Sequence, residues 1–472
     1  MNRPTQPKII FPILLAIAAI FIIAHYKPST LFHSRTSITK FTDTTDGSLE
    51  DYYQLGQSLS VRGFVATTSA TFLTAGDIML SRNVAAAIKK ADDTDLPFRG
   101  MSDILKSVDF NFGNLESPVA PPLLNKEGCP PQGGGVVGGH SMVFGAPCAY
   151  IKGLADFNFQ IVNLANNHAL DQGLAGIDAT KLALDNLNIQ HEGTGDNLDQ
   201  AWQPATVDAN GIKVCFIGAS YSSVNDGGKT TNNYVARIED TAHLQSAITT
   251  AKSECDFIVA TMHAGTEYTR TPNAAQIKFA HAAIDDGADM IIGSHPHWIQ
   301  TIEKYCPVQY SPPNLGGVSR AIVEGRGGIS QANTLPPPPP AAGTPPVPGG
   351  EAASCPNPKY IFYSLGNFIF DQMWSQETKE GLTLKITLSK IGATPVSPSF
   401  SKEGAGLSAE ASAKAEGSSL SADDLQGSRI PAKLESVELI PVIIQNSQPR
   451  PATADEAKKI LDKIGQTETI LK

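Results

Sequence analysis

An α/β fold is what this 472-residue sequence predicts, and three observations predict it. Short apolar runs alternate with helical patterns from about residue 70 onward. Six of those runs end in Asp, Glu, Asn or His, the residues expected where the carboxyl ends of strands line a ligand site. Proline, glycine and serine are concentrated in a few stretches, which marks linkers and insertions rather than the body of the chain.

The strands are expected, in order, at 70–75 (ATFLTA), 109–115 (DFNFGNL), 159–165 (FQIVNLA), 213–219 (KVCFIGA), 256–262 (DFIVATM), 289–293 (DMIIG) and 359–365 (KYIFYSL). Between them, Leu174, Ile177, Leu184 and Leu187 share one helical face. A second helix has Thr271 placed to cap it and Pro272 in its first turn, with Ile277, Ala280 and Ile284 turned inward. Two later runs, GLTLKITL and KLESVELIPVII, read as strands that complete a sheet, and ADEAKKILDKI as a closing helix.

Three segments fall outside this alternation. Residues 1–27 carry an uncharged run from Ile9 to Ala24, preceded by Arg3 and Lys8, which spans roughly 24 Å as a helix. With no small-residue cleavage site after it, an uncleaved single-pass anchor is expected. Residues 28–68 read as a stalk, and 69–472 as one domain with low-complexity insertions at about 311–357 and 391–430. The run Pro336 to Pro340 should form polyproline II.

Of six cysteines, four bracket irregular segments in a way that suits an oxidising compartment, and with the anchor this pattern places the domain outside the cytoplasm, at the cell membrane. Cys129 and Cys148 flank one irregular segment, and Cys306 and Cys355 flank another. Cys215 and Cys255 lie in or beside apolar strands and read as buried thiols, with a bridge between neighbouring strands as the alternative. The net charge of −10 and the lack of a basic stripe argue against nucleic acid as a partner.

The strand ends carry the chemistry. Asp77 follows the first strand, Glu116 the second, Asn166, Asn167, His168 and Asp171 the third. His263 and Glu267 follow 256–262, His295 and His297 follow 289–293, and Asn367 and Asp371 follow 359–365. One carboxylate at a strand end is commonly a cap or a solvated turn. Repetition at strand after strand is better explained by a shared cation site of mixed oxygen and imidazole ligands, suited to Zn, Mn or Fe. Pro296 should hold His295 and His297 on a stiffened, extended backbone with both rings aimed at one centre.

The set GDIMLSR, NLESPV, ANNHALDQG, HAGTEY, GSHPHWIQ and YSLGNFIFDQ, in this order, resembles the CapA family of poly-γ-glutamate capsule biosynthesis proteins over about residues 71–388. The resemblance implies a metallophosphoesterase-like sandwich of two β-sheets flanked by helices. It also implies work on an anionic polymer, or its phosphorylated precursors, together with membrane synthase or export subunits. By the same resemblance Asp77, Glu116, Asn167, His263, His295 and His297 hold one or two divalent ions (Mn, Zn, Fe or Mg), and His168 acts on a leaving oxygen. Two departures are visible: Met79 stands where such phosphoesterases carry histidine, and Glu116 where they carry aspartate. The first weakens one of two metal positions.

Around this set, Arg82 is expected to meet an anionic substrate or pair with a surface acid. Glu267 reads equally as a partner orienting His263 or as a loop carboxylate. Asn367 is expected to satisfy a turn, Asp371 to line the cleft, Asp171 to cap a helix, and His281 to be a packed histidine. Two functional readings stand: a metal-dependent hydrolase of phosphoesterase type, or a non-catalytic scaffold of a polyglutamate synthesis complex.

Overall fold

A computed structural model describes residues 65–121, 135–223, 233–307, 355, 357–393 and 431–471. Among them no helix is long and apolar enough to cross a membrane. The expected anchor, most of the stalk, the Pro336–Pro340 run and most of both insertions lie outside these residues.

Two β-sheets face each other. The first is built on β1 (Val65–Ile78), β2 (Phe110–Leu115), β3 (Phe159–Asn163) and β4 (Gln190–Glu192), all parallel. The second has β5 (Ala205–Ala209), β6 (Ile212–Ser220), β7 (Phe257–His263), β8 (Met290–Ser294), β9 (Ile302–Tyr305) and β10 (Lys359–Phe362), with β6, β7, β8 and β10 parallel. The short β11 (Asn367–Ile369) returns the chain to β1. Then β12 (Glu380–Ala393), β13 (Lys433–Gln445), β14 (Gln448–Pro451) and β15 (Ile470–Leu471) extend the first sheet to nine strands among the described residues. GLTLKITL and KLESVELIPVII are indeed strands, paired antiparallel as β12 and β13.

Five helices of ten or more residues occur among the described residues: α1 (Arg82–Ala91), α2 (Gly173–Asp185), α3 (Thr241–Glu254), α4 (Ala274–Asp286) and α5 (Ala454–Lys463). Strand alternation explains the layers. Phe72, Phe110, Phe112 and Ile161 point inward and meet Phe216, Phe257, Val259 and Ile292 of the second sheet. Phe112 stacks on Phe216 at 4.9 Å across the gap. The outward residues Leu73, Leu115 and Val162 are covered by Val84, Ile88 and Leu184 of α1 and α2. Ile217, Ile258 and Ile291 on the other sheet are covered by Leu244, Ile248, Phe279 and Ile284 of α3 and α4. The result is a mixed α/β sandwich with helices outside both sheets.

Several expectations are corrected. Helix α4 is capped by Asn273 with Gln276 closing a capping box, not by Thr271. Leu174 is exposed, because α2 begins at Gly173 and its first three residues are all exposed, burial starting at Gly176. Cys215 and Cys255 form a disulfide rather than two thiols, since Cys255, two residues before β7, lies with its Cα 5.8 Å from that of Cys215 in β6. Cys306 pairs with Cys355. Cys148 is disulfide-bonded, and its expected partner Cys129 lies outside the described residues.

A bulge places the first site residue. Pairing between β1 and β2 runs Thr74↔Phe112, Ala75↔Gly113, then shifts to Asp77↔Asn114. Strict alternation from Phe72 and Thr74 would turn Asp77 outward; the extra residue, Gly76, turns it into the gap between the sheets. Glycine is required there, because a Cβ on Gly76 would lie 1.9 Å from the carbonyl oxygen of Gly366.

Candidate metal centre

The carboxyl ends of β1, β2 and β3 meet those of β7 and β8 across the gap between the sheets. Asp77, Glu116 and His263 are fully buried, with potential ligand atoms all within 4.8 Å of one another. Glu116 Oε1 is the hub: it lies 3.7 Å from His168 Nε2, 3.9 Å from His263 Nε2 and 3.9 Å from His297 Nε2. His297 Nδ1 is 3.4 Å from Asp77 Oδ2, and Asn167 Oδ1 is 2.8 Å from His263 Nε2. The ring of His295 packs on those of His263 at 4.8 Å and Tyr221 at 4.6 Å, and its main-chain N–H reaches Asp77 Oδ2 at 3.4 Å. All seven residues proposed from the sequence as ligands or acid therefore converge.

The backbone that presents the two final histidines is not extended. His295 has φ 100° and His297 φ 58°, both in the left-handed region. Each costs about 1–3 kcal/mol and persists only where surrounding packing imposes it. Here the chain must fold back immediately after β8, and both residues are buried.

The electrostatics are those of a site built around a cation. Both Glu116 oxygens and His295 Nδ1 are buried with no hydrogen-bond partner among the described residues. Burial pushes Glu116 well above the usual carboxylate range, and the neighbouring charges of Asp77 and Glu267 push the same way. Burial holds His263 and His295 well below the usual imidazole range, with nearby histidines adding to the effect. Imidazoles held toward the neutral form, the buried Asp77 carboxylate and a Glu116 carboxylate with no donor among the described residues fit a divalent ion of the Mn, Zn, Fe or Mg kind, so the residues present suit the group.

The surrounding residues are sorted by contact. Asp171 does not cap α2, whose N-cap is Gln172; its Oδ2 lies 2.7 Å from His168 Nδ1 and accepts the Phe144 N–H. Asn367 Oδ1 lies 2.9 Å from His297 Nδ1 while its Nδ2 donates to the Thr378 carbonyl, so it holds an imidazole as well as a turn. Arg82 pairs with Asp371, which is buried rather than on the surface, and lies over the rings of Phe144 and Phe370. Glu267 is exposed and is not the hydrogen-bond partner of His263, whose two nitrogens face Asn114 and Asn167. His281 bonds Glu303 on the far side of the second sheet. The Met79 sulfur lies 3.1 Å from the Ser81 main-chain nitrogen, and the side chain packs in the apolar cluster that includes Val84 and Ile88 of α1.

Four residues at or behind the site had not been singled out in the sequence: Asn114, Asn163, Phe144 and Tyr221. Asn114 donates to Asp77, Asn163 donates to Asn114, Phe144 stacks on His168 at 3.8 Å, and Tyr221 packs on His295. A usable signal existed for the asparagines, since both are polar residues in mostly apolar strands, though Asn111 in β2 and Gln160 in β3 carry the same signal.

Comparison with known proteins places the chain. The capsule biosynthesis protein CapA of Bacillus anthracis is 26% identical over 329 residues, covering 68% of this chain and 64% of the relative. The PGA biosynthesis protein CapA of Bacillus subtilis is 27% identical over 325 residues, covering 69% and 68%. The matched stretch thus spans about two thirds of each relative's length. Among solved structures, a calcineurin-like phosphoesterase from Bacillus subtilis matches with TM-score 0.35 at 12% identity, covering 85% of this chain and 98% of that one. A Staphylococcus aureus protein described as a putative 5′-nucleotidase matches with TM-score 0.35 at 13% identity, covering 84% and 58%. At those TM-scores the likeness carries no argument. A family model described as bacterial capsule synthesis protein PGA_cap matches residues 71–372, and with nearly two thirds of its length so matched the chain belongs to that family.

Proposed function

We propose that this chain is a membrane-anchored, extracytoplasmic component of poly-γ-glutamate capsule synthesis or export. In this reading it holds one or two divalent ions between its sheets and hydrolyses a phosphoester or amide-like bond of the polymer or its phosphorylated precursors. The family and the names of its Bacillus relatives support the polymer. The single observation that carries the metal is Glu116, a buried carboxylate with no hydrogen bond and three imidazoles within 4 Å.

A divalent cation in such a set supplies Lewis acidity and a lowered water pKa. The chain's own residues do the rest. Asp77, Glu116, Asn167, His263, His295 and His297 would hold the ion, and Asn367 orients His297. Asp171 turns His168 so that Nε2 faces Glu116, the nitrogen that would hand a proton to a leaving oxygen. The closed gap between the sheets keeps bulk water from these groups.

Met79 favours a second reading, a non-catalytic scaffold that keeps the fold and the metal and uses them to bind polymer or synthase subunits, because one ligand of a two-metal set is replaced by a thioether. Elemental analysis of the purified full chain, followed by assays on phosphomonoesters, phosphodiesters, phosphoanhydrides and γ-glutamyl peptides, separates the two. Turnover lost in His295→Ala supports the hydrolase. Full metal loading with no turnover on any of the four supports the scaffold, and a chain that takes up no metal ends both as stated.

A further inference from the structure

Trp374 is 62% exposed, the one aromatic side chain among the exposed large hydrophobics of the described residues. A single exposed apolar residue is ordinary and carries no meaning by itself. This one sits on a loop fastened to the metal centre. After β11 the Gln372 carbonyl accepts from Thr378 Oγ1 at 2.6 Å, and Gln372 Nε2 donates to Tyr268 Oη at 3.2 Å. Asn367, at the start of β11, joins the Thr378 carbonyl to the ring of His297. The indole is therefore held out toward solvent by a fixed scaffold.

Tyr268 links that indole to the centre. Its ring stacks on His297 with centroids 6.0 Å apart and meets Trp374 edge to face at 4.9 Å. Its main-chain N–H donates at 2.9 Å to the carbonyl of Pro296, the residue between the two final histidines. Its φ of 60° is a left-handed conformation rarely taken by a bulky aromatic residue, and such strain gathers at ligand sites. The aromatic pair thus begins at a proposed ligand and ends in solvent.

A phosphate group held between the sheets does not extend to Trp374, two ring contacts away, whereas an extended chain does. Each γ-glutamyl unit adds roughly 6 Å of backbone at ordinary bond lengths, so with one unit at the centre the next lies over the Tyr268 and Trp374 rings. Its amide plane and methylenes give a flat, partly apolar surface for an indole, while its carboxylate branches off into water. The two arginines of this region are engaged already: Arg82 pairs with Asp371, and Arg270 lies 3.7 Å from Glu380 with its guanidinium over the Trp298 ring. Glu267, exposed beside Tyr268, would repel a carboxylate. Recognition on this rim falls to the rings.

We propose that Tyr268 and Trp374 form a substrate platform that holds a γ-glutamyl unit beside the one at the metal centre, so that the site takes extended polymer in preference to a small phosphoester. The platform deepens the polymer reading and rests on it for the identity of the chain.

The test titrates the Mn²⁺-loaded full chain with a γ-linked glutamate octamer and with glycerol phosphate, by calorimetry and by tryptophan fluorescence. Trp202 is buried, so the exposed indole should dominate the response, shifting to shorter wavelength as the octamer binds. In Trp374→Ala the ratio of octamer to glycerol phosphate affinity should fall about tenfold, the worth of one aromatic contact, and Trp374→Phe should recover part of it. Glu267→Gln should tighten octamer binding, most at low salt. A ratio unchanged in Trp374→Ala overturns the platform. Weaker octamer binding in Glu267→Gln also overturns it, because the rim would then hold a positive group. A ratio that falls in a chain with no turnover leaves the platform standing while the hydrolase reading fails. Phosphoester turnover with no octamer binding ends the platform and the polymer reading and leaves the hydrolase.

Discussion

Asp171 Oδ2 stands 2.7 Å from His168 Nδ1 and also accepts the main-chain N–H of Phe144 at 2.6 Å, so one carboxylate sets both the ring and the loop stacked upon it. If the site hydrolyses its substrate with His168 as acid, His168→Gln should lower kcat about 10²–10⁴-fold. Metal content should stay unchanged, because the other ligands remain. Asp171→Asn should fall between the two, and kcat measured at saturating metal checks the order.

Glu116 has the opposite problem, a carboxyl with no hydrogen-bond partner among the described residues, held well above the usual range by burial and by Asp77. In the metal-free chain at neutral pH, Glu116→Gln should raise the thermal midpoint, because it removes the burial cost and the repulsion from Asp77. Adding Mn²⁺ at a hundred times its Kd should stabilise the unsubstituted chain by about 2.7 kcal/mol and leave the variant where it was. Thermal melts with and without Mn²⁺ read both effects, and equal shifts in the two chains would exclude Glu116 as a ligand.

Arg82 and Asp371 are a buried pair, with side chains 8% and 4% exposed. Removing one partner strands the other charge, so Asp371→Ala should cost about 3–5 kcal/mol of stability, whereas Arg82→Met combined with Asp371→Leu should cost much less. Urea unfolding of the three chains measures this. A loss below 1 kcal/mol in Asp371→Ala would instead leave Arg82 available to substrate.

Glu192 makes stability depend on pH. It is 1% exposed at the end of β4, accepts from Thr261 Oγ1 at 2.7 Å, and burial pushes its carboxyl up to about 8 from 4.5. Below pH 4.5 folded and unfolded chains both carry the proton, and its contribution is fully present. As pH rises toward 8 only the unfolded chain releases it, so stability falls, and the loss is complete once the native carboxyl ionises. The interval corresponds to at most about 5 kcal/mol. Urea midpoints between pH 5 and 9 should decline less steeply in Glu192→Gln than in the unsubstituted chain.

Much of this was legible in the chain. Apolar runs at 109–115, 159–165, 256–262 and 289–293 became central strands because buried parallel strands need no polar face. The residues after them reached the site because parallel strands deliver their carboxyl ends to one edge. Shorter elements were not legible: β4, β9 and β11 have three or four residues each, too few to show a period. Helices α1 and α3 are weakly marked in the sequence too, α3 carrying only four buried positions on a largely polar sequence.

The sequence by itself determined which residues would be gathered, since hydrophobic pattern sets strand ends and strand ends set the ligands. The roles of Asp171, Asn367, Asn114 and Arg82 were decided only by the tertiary structure. Each depends on which atom lies opposite which across elements distant in the chain, and on a bulge at Gly76 that turns Asp77 inward where alternation alone would turn it out. Side-chain partners at 3 Å are fixed by register and packing, which no local pattern records.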